Sequence, residues 1–204
     1  CAEAGMKVAA VSRKGRPPNM IEHRNLVRGY TCDATVGTEV TDTFARVTAE
    51  RGPPDLVVYN VGTWDRAGIL DISDQLFEQA WRTGCFGGFL VGREAARTML
   101  PRERGTIIFS GATGSIRGGA GFAAFAVPKF GLRALAQSMA REFGPRGLHV
   151  AHVIIDGMIG QEDGAESDAV LAPIAIAEAY FQLYRQQRSA WTHEIDVRPV
   201  GEKF

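Results

Sequence analysis

Few side chains in this 204-residue chain have the type and spacing to do chemistry. Ser110 and Thr113 place two hydroxyls at the mouth of a small-residue stretch, Gly111 to Gly121, where either could polarise a carbonyl. Neither has an obvious activating base, and hydrogen bonding to loop backbone is the plainer use of both. Lys129, four residues after Phe125, reads by itself as a surface cation on an amphipathic helix. Ser12-Arg13-Lys14 offers a hydroxyl and two positive charges, fit for a phosphate or simply a solvated basic turn. Asp33 and Asn60-Val61-Gly62 stand where strands end, and such residues also favour turns on their own account. His149, His152 and His193 show no triad or metal spacing and are expected to be inert, with no metal bound.

The elements that must position these groups are bounded first by composition. Twenty-three basic and 23 acidic residues cancel, which argues against nucleic acid, a membrane surface or a polyanionic substrate. Three cysteines, Cys1, Cys32 and Cys85, have no metal spacing and suit a reducing, cytoplasmic compartment. No apolar run is long enough to span a bilayer. The length fits one domain, residues 1–204, with a sizeable core.

The hydrophobic pattern alternates strands with helices. Strands are expected at Lys7–Val11, Val27–Cys32, Leu56–Tyr59, Thr106–Ser110, His149–Ile155 and His193–Val197. Helices are expected at Asn19–Leu26, Val36–Arg51, Gln75–Leu100 (capped by Asp74), around Phe125, and at Ala169–Arg185. Cys1 to Gly5 reads as the last turn of a helix, and Asp156–Asp168 as a mobile loop. This order implies an α/β fold with a doubly wound, mostly parallel sheet.

The stretch Gly105–Met139, a strand, a small-residue loop and a helix carrying Phe125 and Lys129, resembles the active-site segment of the short-chain dehydrogenase/reductase family. That resemblance covers nearly the whole chain. It implies a Rossmann-type domain, NAD or NADP as cofactor, and hydride transfer between a carbonyl and an alcohol. It places Lys129 at the family's Lys, which holds the nicotinamide ribose. Asn60-Val61-Gly62 resembles the family's Asn-Ala-Gly turn lining the cofactor. Asp33, with Ala34, matches the adenine contact. Asp156-Gly157, followed by Ile159, stands where the family has Pro-Gly against the nicotinamide carboxamide. At the first strand end an Arg accepts the 2′-phosphate of NADP, so Ser12 and Arg13 imply NADP(H) over NAD(H). The family also uses its two long helices for dimer and tetramer contacts, which implies a homodimer or homotetramer.

The departures are as informative. The family's catalytic Tyr is Phe125, its Ser falls at Gly111 or Ala112, and its relay Asn falls at Gly84. Of the four site residues only Lys129 remains, and a Phe has no proton to transfer. Two functions follow: a carbonyl/alcohol oxidoreductase with water, Ser110 or Thr113 in place of the Tyr, or a non-catalytic nucleotide-binding or oligomer-forming relative. Pro128 is expected to delay the helix start and shift Lys129. The family's first strand and glycine-rich turn have no match, so an interrupted sheet in an N-terminally incomplete domain is the expectation. The substrate wall is expected from Met158, Ile159, Leu171 and Ile174.

Overall fold

The computed structural model describes residues 1–16, 23, 25–160 and 168–202. Among these residues lie eight strands and five α-helices: β1 (Val8–Ser12), β2 (Val27–Thr31), α1 (Gly37–Arg51), β3 (Leu56–Tyr59), α2 (Asp74–Trp81) and α3 (Gly87–Met99) come first. β4 (Gly105–Ser110), α4 (Ala123–Phe143), β5 (Leu148–Ile155), β6 (Met158–Ile159), β7 (Val170–Leu171), α5 (Pro173–Arg185) and β8 (Glu194–Val197) follow.

All strand pairs are parallel. β3, β4, β5 and β8 form one sheet in that order, β1 and β2 a second, and the short β6 and β7 a third. Among the described residues no strand joins β1–β2 to β3, as the interrupted-sheet expectation had it. Val11 and Val58 are correspondingly exposed at 48% and 40%.

The apolar β4 run is buried on both faces, as a parallel strand between helix layers must be. Ile107 and Phe109 pack with Leu148, Val150, Met99, Leu132 and Ala136, beneath α3 and α4. Ile108, Ala151 and Val153 face the other way, onto Leu183 and Tyr180 of α5. This period-2 alternation decides which side chains of the strand ends can meet α4.

The expected single helix over 75–100 is three pieces. α2 is capped by Ser73, not Asp74: the Ser73 hydroxyl accepts from the Leu76 N–H at 3.2 Å. A π-helical segment, Arg82–Phe86, then separates α2 from α3. The Tyr59 hydroxyl donates to the Thr83 carbonyl at 2.5 Å within that segment. Here Gly84, Gly88 and Gly92 let α4 and the sheet come close. A Cβ on Gly88 would lie 2.4 Å from Leu132 Cδ1, and one on Gly92 would lie 2.9 Å from Phe109 Cζ.

Other expectations need correction. Residues 2–5 are hydrogen-bonded turns rather than helix. Pro128 does not delay α4, which begins at Ala123 and runs through it. The last helix begins at Pro173, because Val170–Leu171 pair with β6. The Asp156–Asp168 loop is anchored at its start, with Asp156 buried and Met158–Ile159 in a strand. Residues 161–167, and most of the expected helix Asn19–Leu26, lie outside the described residues.

Candidate active site

The site is built on the carboxyl edge of the sheet, where β4 opens toward α4. Ser110 is the last residue of β4. The Lys129 ammonium donates to the Ser110 carbonyl at 2.7 Å and is 7% exposed. Burial lowers the Lys129 pKa to about 8, since a charged ammonium loses hydration there. The turn after β3 lies against the same group: a Cβ on Gly62 would be 3.4 Å from Lys129 Nζ. Lys129 is therefore a buried cation between two strand ends, not a surface charge.

Phe125 lies one helical turn before Lys129 and is 8% exposed. The Trp64 ring meets it edge-on, with centroids 4.8 Å apart. Trp64 also packs on Phe122 at 5.4 Å, and the Arg66 guanidinium covers Phe122 at 5.4 Å. A backbone bond from Ala67 N–H to the Gly121 carbonyl, 3.0 Å, ties this segment to the start of α4. From below, Gly114 admits the ring, since a Cβ there would lie 2.7 Å from Phe125 Cε1. Phe125 is thus enclosed by aromatic and backbone surface.

The two candidate hydroxyls do not reach this face. Ser110 Oγ accepts from the Tyr180 hydroxyl at 2.7 Å, on the α5 side of the sheet. Ser110 shares the parity of Ile108, which points away from α4. The Thr113 hydroxyl donates to Asp156. Of these two residues only the Ser110 carbonyl enters the Lys129 site. The tertiary reason is strand alternation for Ser110 and a stronger, ionic acceptor for Thr113.

Asp156 itself is 2% exposed and is neutralised by Arg198 at 3.3 Å and Arg117 at 3.8 Å. It locks the loop after β5 to the loop after β4 and to the segment after β8. Gly157 follows with φ +151°, and a Cβ there would meet Pro199 Cδ at 2.6 Å. Ile159 and Met158 beyond it are 52% and 68% exposed, and Ile174 is 68% exposed, whereas Leu171 is buried.

The space beside Gly84 and Gly111 is filled. A Cβ on Gly84 would lie 2.7 Å from Pro128 Cβ, so Pro128 occupies the space a longer side chain would need. A Cβ on Gly111 would lie 2.3 Å from His152 Nε2 and 2.8 Å from Ser115 Oγ. His152, fully buried, is held by Glu194 at 2.9 Å, and Glu194 by two hydrogen bonds from Arg133 at 2.8 and 2.6 Å. This cluster was not legible in the sequence, where His152 looked inert. Its partners meet only because β5 and β8 pair His152 with Glu194 across the ladder.

At the other strand ends, Ser12 Oγ accepts from the Gly15 N–H at 3.1 Å. Arg13 and Lys14 stay exposed, and Ser12, Arg13 and Lys14 line an open cleft of about 490 Å³. Asp33 Oδ1 accepts from the Thr35 N–H at 2.8 Å and its hydroxyl at 2.7 Å, which holds the carboxyl below its usual range. Asp33 thus shapes a turn, with Arg13 contributing to its low pKa. The Ala34 carbonyl packs against Gly87, where a Cβ would lie 3.1 Å away. Asn60 and Val61 are exposed at the end of β3.

Comparison with known proteins gives the family. A family model described as Enoyl-(Acyl carrier protein) reductase matches residues 1–189. The chain belongs to the short-chain dehydrogenase/reductase family. A short-chain dehydrogenase from Rhodopseudomonas palustris is 41% identical, with a TM-score of 0.84, covering 97% of this chain and 89% of that one. The (21S)-21-acetoxyl-apo-melianone synthase of Melia azedarach is 31% identical over 149 residues, 72% of this chain and 55% of its own. The 3-oxoacyl-[acyl-carrier-protein] reductase MabA of Mycobacterium avium is 31% identical over 134 residues, 66% of this chain and 52% of its own. The chain spans little more than half the length of these two curated relatives. The fold alone is shared with ElxO, in a structure with NADP bound, at 16% identity and a TM-score of 0.86 over 97% of this chain and 89% of that one.

The face of α2, the π segment, α3 and α4 also carries exposed aromatic side chains. Trp81 stacks on Phe86 at 5.7 Å and Phe86 on Phe89 at 6.1 Å. Trp81, Phe89, Val127 and Phe130 are each at least 40% exposed. Among the described residues no helix is long and apolar enough to cross a membrane, and no His/Cys/Asp/Glu group could hold a metal ion.

Proposed function

We propose that this chain belongs to an oxidoreductase that moves hydride between a nicotinamide cofactor and a small carbonyl or alcohol, with Lys129 handling the proton. The observation that carries this reading is the buried Lys129 ammonium, fixed on the Ser110 carbonyl beside Gly62 with a pKa brought down to about 8. An acid poised near neutral pH can give and take a proton, which Phe125 cannot do. The nicotinamide supplies the hydride when bound. Lys129 would hold its ribose, Asn60-Val61-Gly62 would line it, and Asp156, Gly157 and Ile159 would flank the carboxamide. Ser12 and Arg13 would take a 2′-phosphate, with Asp33 and Ala34 at the adenine, which favours NADP(H) over NAD(H). Trp64 and Phe122 would close an aromatic wall over the substrate.

The test is nucleotide titration followed by trial reduction of a set of aldehydes and ketones. NADPH binding tighter than NADH binding, with turnover abolished in Lys129→Met, is the expected result. Nucleotide binding without turnover of any carbonyl or alcohol would favour the non-catalytic alternative. The aromatic face of Trp81, Phe89 and Phe130 is the surface for homodimer or homotetramer contacts, and sedimentation of the purified chain reads that state.

A further inference from the structure

The wall around Phe125 offers a ligand two kinds of surface. One is flat and apolar. Trp64 is 68% exposed although its ring meets Phe125 at 4.8 Å and Phe122 at 5.4 Å. A large aromatic face left open beside a site suits the flat body of a small molecule. The other surface is charged. The exposed Arg66 guanidinium stands 5.4 Å over the Phe122 ring, two residues along the chain from Trp64.

Arg66 is held in place before any ligand arrives. Its Cγ and Nε run along Gly121, 3.6 and 3.7 Å from where a Cβ would stand, and Gly121 has φ +81°. The Ala67 N–H donates to the Gly121 carbonyl at 3.0 Å, which fixes the next residue to the same turn. The cation over the Phe122 ring completes the hold. The rotamer freedom that an arginine ordinarily loses on binding is therefore already reduced. Arg66 has no carboxylate partner among the described residues. Arg117, in the loop before α4, is by contrast drawn to Asp156 at 3.8 Å. A fixed guanidinium with its fork open matches the planar, bidentate geometry of a carboxylate. Phe122 and Phe125 are three residues apart at the start of α4, which sets their side chains about 5–6 Å from one another.

We propose that the substrate is a carbonyl compound with a flat apolar body and a carboxylate, and that Arg66 is the residue that selects it. The carbonyl rests on the oxidoreductase reading above, whereas the anion rests on Arg66 alone. The flat body lies on Trp64, with the carbonyl toward Phe125 and the carboxylate on the Arg66 fork above Phe122. Carbonyl and carboxylate are then several bonds apart, as at opposite ends of one ring, and not on adjacent carbons. Arg66 binds substrate and takes no part in hydride or proton transfer. A neutral compound of the same shape finds the same aromatic wall and leaves the guanidinium unpaired.

The probes are 4-formylbenzoate and its neutral methyl ester, which share the ring and the aldehyde. Each is titrated calorimetrically into the protein with and without NADPH. The acid should bind about tenfold or more tightly than the ester, the scale of one charge-assisted pair, and that margin should shrink as salt is raised. Arg66→Gln should remove the acid's advantage. Arg66→Lys, which keeps the charge and loses the planar fork, should restore only part of it. Equal affinities for acid and ester in the unsubstituted protein, no binding of either, or an acid preference that survives in a folded Arg66→Gln protein overturns the proposal. Binding of the acid that depends on Arg66 but never leads to NADPH oxidation would overturn the oxidoreductase reading instead, and leaves the anion site standing.

Discussion

Gly84 and Pro128 are a matched pair: the missing side chain of one is the space that the ring of the other fills, with 2.7 Å between Pro128 Cβ and a Cβ built on residue 84. This pairing explains how a proline is accommodated inside α4 against its helix neighbour. The Pro128 ring sits where the π-helical segment, with no Cβ at residue 84, comes close enough to cover it. Gly84→Asn should destabilise the fold by about 1–3 kcal/mol through overpacking. Gly84→Asn combined with Pro128→Ala should recover part of that loss. Equal denaturation midpoints for the single and double variants would refute the pairing.

Phe125→Tyr tests whether the enclosed ring position needs only a hydroxyl. Trp64 and Gly114 hold the ring by its edge and lower face, so the substitution adds one oxygen without moving α4. Carbonyl reduction with NADPH should rise toward the 10²–10⁴-fold, roughly, that a positioned acid contributes. An unchanged rate with nucleotide still bound would show that the substrate oxygen does not lie against residue 125.

The buried Lys129 makes stability depend on pH. Its folded pKa, about 8, lies below the ordinary lysine value of 10.5, so between these values the unfolded chain binds more protons. Stability should therefore rise from pH 8 toward 10.5, by up to about 3 kcal/mol at 1.36 kcal/mol per unit. Below pH 8 the buried charge is a constant cost. Lys129→Met should flatten this segment of the profile in urea denaturation. A wild-type profile already flat there would contradict the depressed pKa.

Ser110 separates structure from chemistry. Ser110→Ala leaves the Tyr180 hydroxyl buried without its acceptor, a loss of about 1–3 kcal/mol. Nucleotide binding and any turnover should persist, because Lys129 uses the residue's carbonyl. A protein of full stability but no turnover would place the hydroxyl in the reaction after all.

Arg13→Ala should weaken NADPH binding about tenfold or more, the scale of a lost charge-assisted contact, and leave NADH binding nearly unchanged. Equal weakening of both would assign the cleft at Ser12–Lys14 to something other than a 2′-phosphate.

Much of this architecture was legible in the chain itself. Continuous apolar runs marked β3, β4 and β5, because burial on both faces leaves little freedom of residue type, and Gly-Pro pairs marked helix ends. The Phe125–Lys129 spacing placed both on one helical face, which is local geometry. The π-helical interruption at Arg82–Phe86 was not readable, since the residues there suit a helix and only the close approach to Pro128 and Tyr59 reshapes it. The faces of Ser110 and His152 were likewise decided by tertiary structure. A hydroxyl one residue from the expected place points to α5 instead of α4 when a strand alternates, and no local pattern states which face is which. His152 acquired a carboxylate partner because β8, distant in sequence, pairs beside β5 in one register. The sequence by itself determined the fold class and the order of elements, both properties of nearest neighbours and helical or strand period. Only the tertiary structure decided which buried polar groups meet, because those meetings depend on registers and helix approaches set by the whole core.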